Sequence, residues 1–344
     1  MIRVDLASDT KTRPTRAMRA AMAEAEVGDE QAFEDPTVNA LCARTAELLG
    51  HEAAVFLPSG TMANQIAFRL WTRPGDEVLV EATTHPLHFE SGGPAANAFC
   101  MFRPLTGERG KFTAAQVSDA VRGAFRHHPR TSLVTIENTT NLGGGAVWTV
   151  DEVAAVAAAA RDVGVRVHMD GARLANAAVA AGVPMAAYGA LCDTVWLDFS
   201  KGLGAPIGAC LAGARDTIDE AWRIKQQLGG AMRQAGVVAA AALHALNHHV
   251  DRLAEDHARA AELAAAIREL DGLELTNPPV ETNLVFFDCA GTGRSAPALG
   301  EALAARGVRI GPMGPHTLRA CTHLDVDDAG IDQTISALRA VVAG

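Results

Sequence analysis

Short apolar runs alternate with helical stretches along the first two thirds of the chain. Ala53–Pro58, Glu77–Val80, Ser132–Glu137, Val165–Asp170 and the apolar front half of Asp193–Gly213 read as buried strands. Between them apolar residues recur at helical spacing from Thr37 to Leu49, where Gly50 closes the helix, and from about Met62 to Trp71. Thr149 with Glu152 forms a capping box for a helix ending at Gly164. Residues 1–36 read as irregular apart from a short helix opened by Pro14. From about Val237 to Leu270 the pattern is one or two long alanine-rich helices. Beyond them Leu273–Leu275, Asn283–Asp288, Val308–Gly311 and Thr317–Thr322 read as strands, covered by helices near Ala296–Ala305 and Asp328–Val342. The alternation Leu318-Arg319-Ala320 turns Arg319 away from its local core.

Strands alternating with helices predict a wound, mostly parallel sheet in a three-layer α/β/α domain. The expected division is a large domain over 1–245, with an N-terminal arm, and a smaller C-terminal α/β domain over 246–344. In such sheets functional residues gather at the carboxyl ends of strands. Ser59, His85, Asn138, Asp170 and Lys201 all fall there. Ser59-Gly60-Thr61 lies between a strand and a helix, where free backbone N–H groups and the helix dipole favour an anion; plain N-capping accounts for it equally well. Lys201 leaves a buried strand into a turn holding Gly202, Gly204, Pro206 and Gly208. Desolvation there favours a neutral, nucleophilic amine, and the glycines are expected to let backbone approach something bulky.

Asp170 and Lys201, on strand ends one helix and turn apart, are the pair that pyridoxal phosphate chemistry requires. A lysine forms an imine with the cofactor aldehyde, and an aspartate keeps the pyridine nitrogen protonated. The phosphate would sit at Ser59-Gly60-Thr61, and His85 would lie flat on the ring. His51, His168, His244, His248, His249 and His257 read as structural.

Composition narrows the classes. The chain has 344 residues, 49% hydrophobic and 20% charged, an ordinary globular profile with room for about two domains. A net charge of −10 and only 5% aromatics argue against nucleic-acid binding. No apolar run is long enough to span a membrane, and the first residues lack a secretory core. Six scattered cysteines, without CxxC or metal spacing, predict reduced thiols, a cytoplasmic location and no metal site.

Ser8-Asp9-Thr10, EDPT at 34–37, SGTMANQ at 59–65, ENT at 137–139, HMDGARL at 168–174, SKGLGAP at 200–206 and GGAMRQAG at 229–236 together resemble the L-threonine aldolase family. That family belongs to the aspartate-aminotransferase-like, fold-type-I pyridoxal phosphate enzymes. The resemblance spans nearly the whole chain, and HMDGARL with SKGLGAP is its most specific part. It implies retro-aldol cleavage of L-3-hydroxy amino acids to glycine and an aldehyde, in a cytoplasmic homodimer or homotetramer with shared active sites. Lys201 matches the imine lysine, Asp170 the pyridinium partner, Gly60 and Thr61 the phosphate cradle, and His85 the stacking histidine. Ser8, Arg173 and Arg319 match residues around the ring oxygen and substrate carboxylate, a role suited to a guanidinium fork. His127 aligns with a histidine near the substrate hydroxyl, so His85 and His127 are both candidate bases. Arg233 is expected near the cofactor phosphate of a neighbouring subunit or in an interface salt bridge. Ala32-Phe33, Lys225-Gln226 and Thr140 depart from the family pattern and bear on the substrate, with a bulky one such as phenylserine in view. The alternatives are another fold-type-I enzyme, a β-eliminating lyase or aminotransferase, and a non-catalytic cofactor-binding regulator.

Overall fold

The computed structural model describes residues 1–343. Thirteen strands run in chain order: β1 Val4–Asp5, β2 Ala53–Leu57, β3 Glu77–Glu81, β4 Met101–Leu105, β5 Thr131–Glu137, β6 Arg166–Gly171, β7 Thr194–Asp198, β8 Ala209–Gly213, β9 Glu274–Leu275, β10 Leu284–Asp288, β11 Val308–Arg309, β12 Gly311–Pro312 and β13 Thr317–Cys321. Seven of them form the large sheet in the order β2-β8-β7-β6-β5-β3-β4. β7, β6, β5, β3 and β4 are parallel neighbours, while β8 runs antiparallel to both β7 and β2. Every residue of β3, β5, β7 and β8 is buried, as in a sheet covered on both faces.

The period-2 alternation sorts side chains into the two cores. Phe56, Met169, Val195 and Leu197 face one core with Met18, Leu41 and Leu246, from the helices Arg16–Ala23, Pro36–Leu49 and Gly236–His248. Val55, Leu57, Trp196 and Leu211 face the other with Ile66 and Ile224, from the helices Gly60–Trp71 and Arg215–Gln227. The result is the three-layer, mostly parallel α/β/α arrangement that the sequence predicts.

The C-terminal sheet is antiparallel, in the order β12-β13-β10-β9. Its core joins Val285, Phe287, Leu318 and Ala320 to Leu263, Ile267 and Leu338. Val4 and Leu6 of the N-terminal arm pack into this core, and β1 pairs in parallel with β11. The first 36 residues are thus less irregular than their pattern suggests. The run 308–311 is not one strand: β11 serves the arm, Ile310 is buried, and β12 joins β13. β4 and β8 escape the pattern because one carries Pro104 at the sheet edge and the other, Ala-Cys-Leu-Ala-Gly, is mostly small. Among the described residues no helix is long and apolar enough to cross a membrane.

Candidate active site

The carboxyl ends of β3, β5, β6 and β7 open on a cavity of about 590 Å³. Ser8, Ser59, Gly60, Thr61, His85, Asp170, Arg173, Lys201 and Arg319 all line it. Nine of the residues singled out from the sequence therefore meet in one place. His127 and Arg233 do not. His127 lies on an exposed turn against Phe125, with ring centroids 5.1 Å apart. Arg233 is exposed and paired with Asp29 at 2.9 Å.

Lys201 follows β7 in a 3-10 turn, Lys201–Leu203, with its own φ at 44°. The amine is not isolated, since Asp198 Oδ2 lies 3.3 Å from Nζ and the Ser200 hydroxyl donates to the same carboxylate. The glycines after it serve the protein's own packing. A Cβ at Gly202 would come 2.9 Å from Leu253, one at Gly204 2.7 Å from Leu324, and one at Gly208 2.5 Å from Phe56. Gly204 and Gly208 also sit at φ of 81° and 114°. The bulky neighbours expected from the sequence are thus side chains of the chain itself.

Ser59 caps the helix Gly60–Trp71 by accepting from the Met62 amide at 3.2 Å. Capping and an anion cradle are compatible here, because the first-turn amides of Gly60 and Thr61 are donors without intrahelical acceptors. Gly60 is required by packing: a Cβ would fall 2.2 Å from the Trp196 indole.

Asp170, at the end of β6, is 1% exposed. Its Oδ1 accepts from the Ala172 amide at 3.0 Å and its Oδ2 from Asn64 Nδ2 at 2.8 Å. Burial pushes its carboxyl up, against the pull of Asn64, and no lysine or arginine pairs with it among the described residues. Glu137, at the end of β5, accepts from the His85 amide at 2.6 Å and from the Asn141 amide at 2.6 Å. Burial and the Asp170 charge push it up as well. Burial would lower His85, but its hydrogen bond to Glu90 and the charges of Asp170, Glu90 and Glu137 leave it raised.

The two arginines differ. Arg173 is buried, with Nε and Nη2 held by Asp9 at 2.7 and 2.8 Å. Arg319 projects from β13 and meets only neutral oxygens, Asn141 Oδ1 at 2.8 Å and the Ala7 carbonyl at 3.3 Å, while its buried Nε has no partner. Burial and the Arg173 charge push Arg319 down.

Sequence reasoning did not single out Asn64, Glu90, Glu137, Trp196 or Asp198. Asn64 lies inside SGTMANQ and Glu137 opens ENT, so position in the motifs was the available signal; nothing local marks Glu90. The three departures from the family pattern lie outside the cavity. Phe33 packs edge-on against Trp222 at 5.6 Å, Lys225 is buried against Glu30 at 2.5 Å, and the Thr140 hydroxyl donates to the Arg109 carbonyl. Among the described residues no group of three His, Cys, Asp or Glu is placed to hold a metal ion.

The profile of the beta-eliminating lyase family matches residues 5–290. A low specificity L-threonine aldolase of Escherichia coli is 39% identical over 99% of this chain and 99% of its own length. A probable low-specificity L-threonine aldolase of Arabidopsis thaliana is 36% identical over 98% of this chain and 97% of its own. Among solved structures, a threonine aldolase of Leishmania major superposes with a TM-score of 0.85 at 21% identity, covering 98% of this chain and 99% of that one.

Proposed function

The chain belongs to the beta-eliminating lyase family, and from that premise we propose that it is a lyase cleaving L-3-hydroxy-α-amino acids, L-threonine among them, into glycine and an aldehyde. The observation that carries this reading is Arg319, which lines the cavity that also holds Lys201 and Asp170, meets only neutral oxygens and has a buried Nε without a partner. Arg173 is already neutralised by Asp9, so Arg319 is the guanidinium with charge to offer a substrate carboxylate.

The residues fit pyridoxal phosphate. Asp170 is a buried carboxylate lacking a cation, which a protonated ring nitrogen would supply. The Gly60 and Thr61 amides with the Ser59 and Thr61 hydroxyls suit its phosphate, His85 suits a ring face, and Arg173, whose Nε and Nη2 are taken by Asp9, would have Nη1 left for a ring oxygen. When bound, the cofactor supplies an aldehyde for Lys201 and a ring that accepts the electrons of the broken Cα–Cβ bond.

The rest falls to the chain's own side chains. Arg319 and Ser8 hold the carboxylate and so fix the amino acid's orientation. His85 takes the proton of the β-hydroxyl, and the aldehyde leaves as that oxygen becomes a carbonyl. Asp198 holds the ammonium of Lys201 when substrate displaces it. The reading is supported by relatives named for L-threonine cleavage across almost their whole length. Incubation with L-threonine tests it: glycine and acetaldehyde are expected, whereas pyruvate and ammonia, or a new keto acid, would sink it.

We also propose a homo-oligomer with shared sites, in the cytoplasm. His127 and Arg233 are exposed outside the cavity, and Phe33, Leu87, Phe89, Phe99 and Met101 are exposed apolar side chains that a second copy would cover. All six cysteines are free thiols.

A further inference from the structure

Glu90 lies in the loop after the short helix His85–His88, and its side chain is fully buried. A carboxylate out of water needs donors on both oxygens. Three converge on it: Asn64 Nδ2 at 2.8 Å and His85 Nδ1 at 3.0 Å on Oε1, and Gln65 Nε2 at 2.7 Å on Oε2.

The orientation of Asn64 is not free. Its Oδ1 accepts from Trp196 Nε1 at 2.8 Å, and an indole N–H can only donate, so the amide nitrogen must face Glu90 and Asp170. Gln65 is fixed by Glu90 itself, since a carboxylate only accepts, and its Oε1 is left to accept from Asn97 at 3.2 Å. His168 Nε2 also meets Asn64 Oδ1, at 3.2 Å, and so carries its proton there. Its Nδ1 then accepts from the Thr194 hydroxyl at 2.9 Å, and that oxygen in turn accepts from Trp71 Nε1 at 3.0 Å. The framework leaves one ring unassigned, that of His85. Facing an acceptor at Oε1, its Nδ1 must carry a proton, and Nε2 has no protein partner among the described residues.

We propose that Glu90 is a positioning residue of this site: it holds the proton of His85 on Nδ1, so that Nε2 is the ring's proton acceptor toward the cavity. Asn64, donating to Glu90 and to Asp170 from one nitrogen, ties that pair to the carboxylate that would partner the cofactor's pyridine nitrogen. The assignment rests on His85 as the group that takes the hydroxyl proton. The other charged groups around His85 are Glu137 from β5 and Asp170 from β6, with Lys201 opening on the same cavity. His88, on its own helix, is turned to the Ala82 carbonyl at 2.7 Å.

The test is the ring ¹⁵N spectrum of His85 in full-length protein loaded with pyridoxal phosphate, assigned by the signal lost in H85N. Wild type is expected to show a protonated Nδ1 and a bare Nε2 at pH values above the ring's titration midpoint, where the ring is neutral. Glu90→Leu removes the acceptor that faces Nδ1 and puts no donor or acceptor in its place, which frees the ring to take the opposite tautomer. There the proton should move to Nε2 and the titration midpoint of the ring should fall by about one unit. The acid limb of kcat should move the same way, because a base must be deprotonated and Glu90 favours its charged form. Loss of the acceptor should lower kcat about 100-fold with KM within threefold. Glu90→Asp keeps the charge and should restore much of the midpoint, which a merely structural role would not do. A neutral wild-type ring with its proton on Nε2 overturns the proposal whether or not either variant folds. Equal tautomer and midpoint in wild type and E90L overturn it too. Full activity of H85N would instead sink His85 as the base while leaving the tautomer measurement standing.

Discussion

Asp9 grips Arg173 along one edge of its guanidinium, Oδ2 to Nε at 2.7 Å and Oδ1 to Nη2 at 2.8 Å, with both side chains out of solvent. Asn283 adds a third contact to Oδ2 at 3.1 Å. Burial alone would raise the Asp9 carboxyl, but Arg173 overrides it and holds the group below the usual carboxylate range. Removing the carboxylate strands a buried cation, so Asp9→Ala should cost about 3–5 kcal/mol in urea unfolding. A loss below about 1 kcal/mol would show that Arg173 finds other compensation. Because the folded carboxyl is depressed, this stabilisation is present at neutral pH. It should fade as pH drops below about 4, the unfolded value, and on through the folded one.

Lys201→Ala should end covalent attachment of the cofactor. Borohydride reduction followed by peptide mass spectrometry should locate the adduct on Lys201 in wild type and nowhere in the variant. Activity should fall by at least about three orders of magnitude, since the groups of such a site act as a unit. An adduct on another lysine, with activity retained, would overturn the assignment.

The fold was legible where periodicity is strong, and the site where motifs end strands. β2, β3, β5, β6 and β7 are apolar runs, and Ser59, His85, Asp170 and Lys201 at their carboxyl ends meet in the cavity, whereas Asn138 is buried with its Oδ1 accepting from the Trp148 amide. β4 and β8 were hidden by Pro104 and by small residues, features that also describe loops. Glu90 was hidden for a different reason. Its importance lies in three donors from two helices, Asn64, Gln65 and His85, a convergence that sequence spacing does not express. The glycines after Lys201 were found but for another cause, since they clear Leu253, Leu324 and Phe56.

Arg319→Ala should raise KM for L-threonine between about 10- and 100-fold, the worth of one to two charge-assisted hydrogen bonds. kcat should change less, because the carboxylate is held alike before and during bond cleavage. Arg319→Lys should recover part of the loss, as a point charge without the fork. An unchanged KM in Arg319→Ala would move carboxylate recognition elsewhere in the cavity.

The exposed side chains Leu87 and Phe89 beside His85, with His127 and Arg233 outside the cavity, predict that activity depends on assembly. Sedimentation velocity should find a dimer or larger across the concentrations used for assay. A fully active monomer would sink the shared-site reading. Arg233→Ala should weaken cofactor binding if a neighbour's phosphate is its target, and only subunit association if it serves an interface pair.

His168 gives a pH dependence that belongs to the fold rather than to the reaction. It is fully buried between Asn64 and Thr194, and burial pushes it down to about 3. In the unfolded chain it titrates near 6.5. Between those values the unfolded state binds a proton that the folded state refuses, so stability falls as pH drops below about 6.5 and keeps falling toward 3. The slope is about 1.4 kcal/mol per pH unit, or about 2 kcal/mol between pH 6.5 and pH 5 from this one group. Burial also lowers His51 and His257, which adds to this slope, while the raised His85, Asp170 and Glu137 act against it, so the total is not that of His168 alone. Comparison with His168→Gln isolates it, since a glutamine amide can donate to Asn64 Oδ1 without titrating. Urea unfolding of both proteins from pH 7 to 5 should show the variant losing about 2 kcal/mol less than wild type. Parallel curves would mean that the ring becomes charged inside the fold despite its burial.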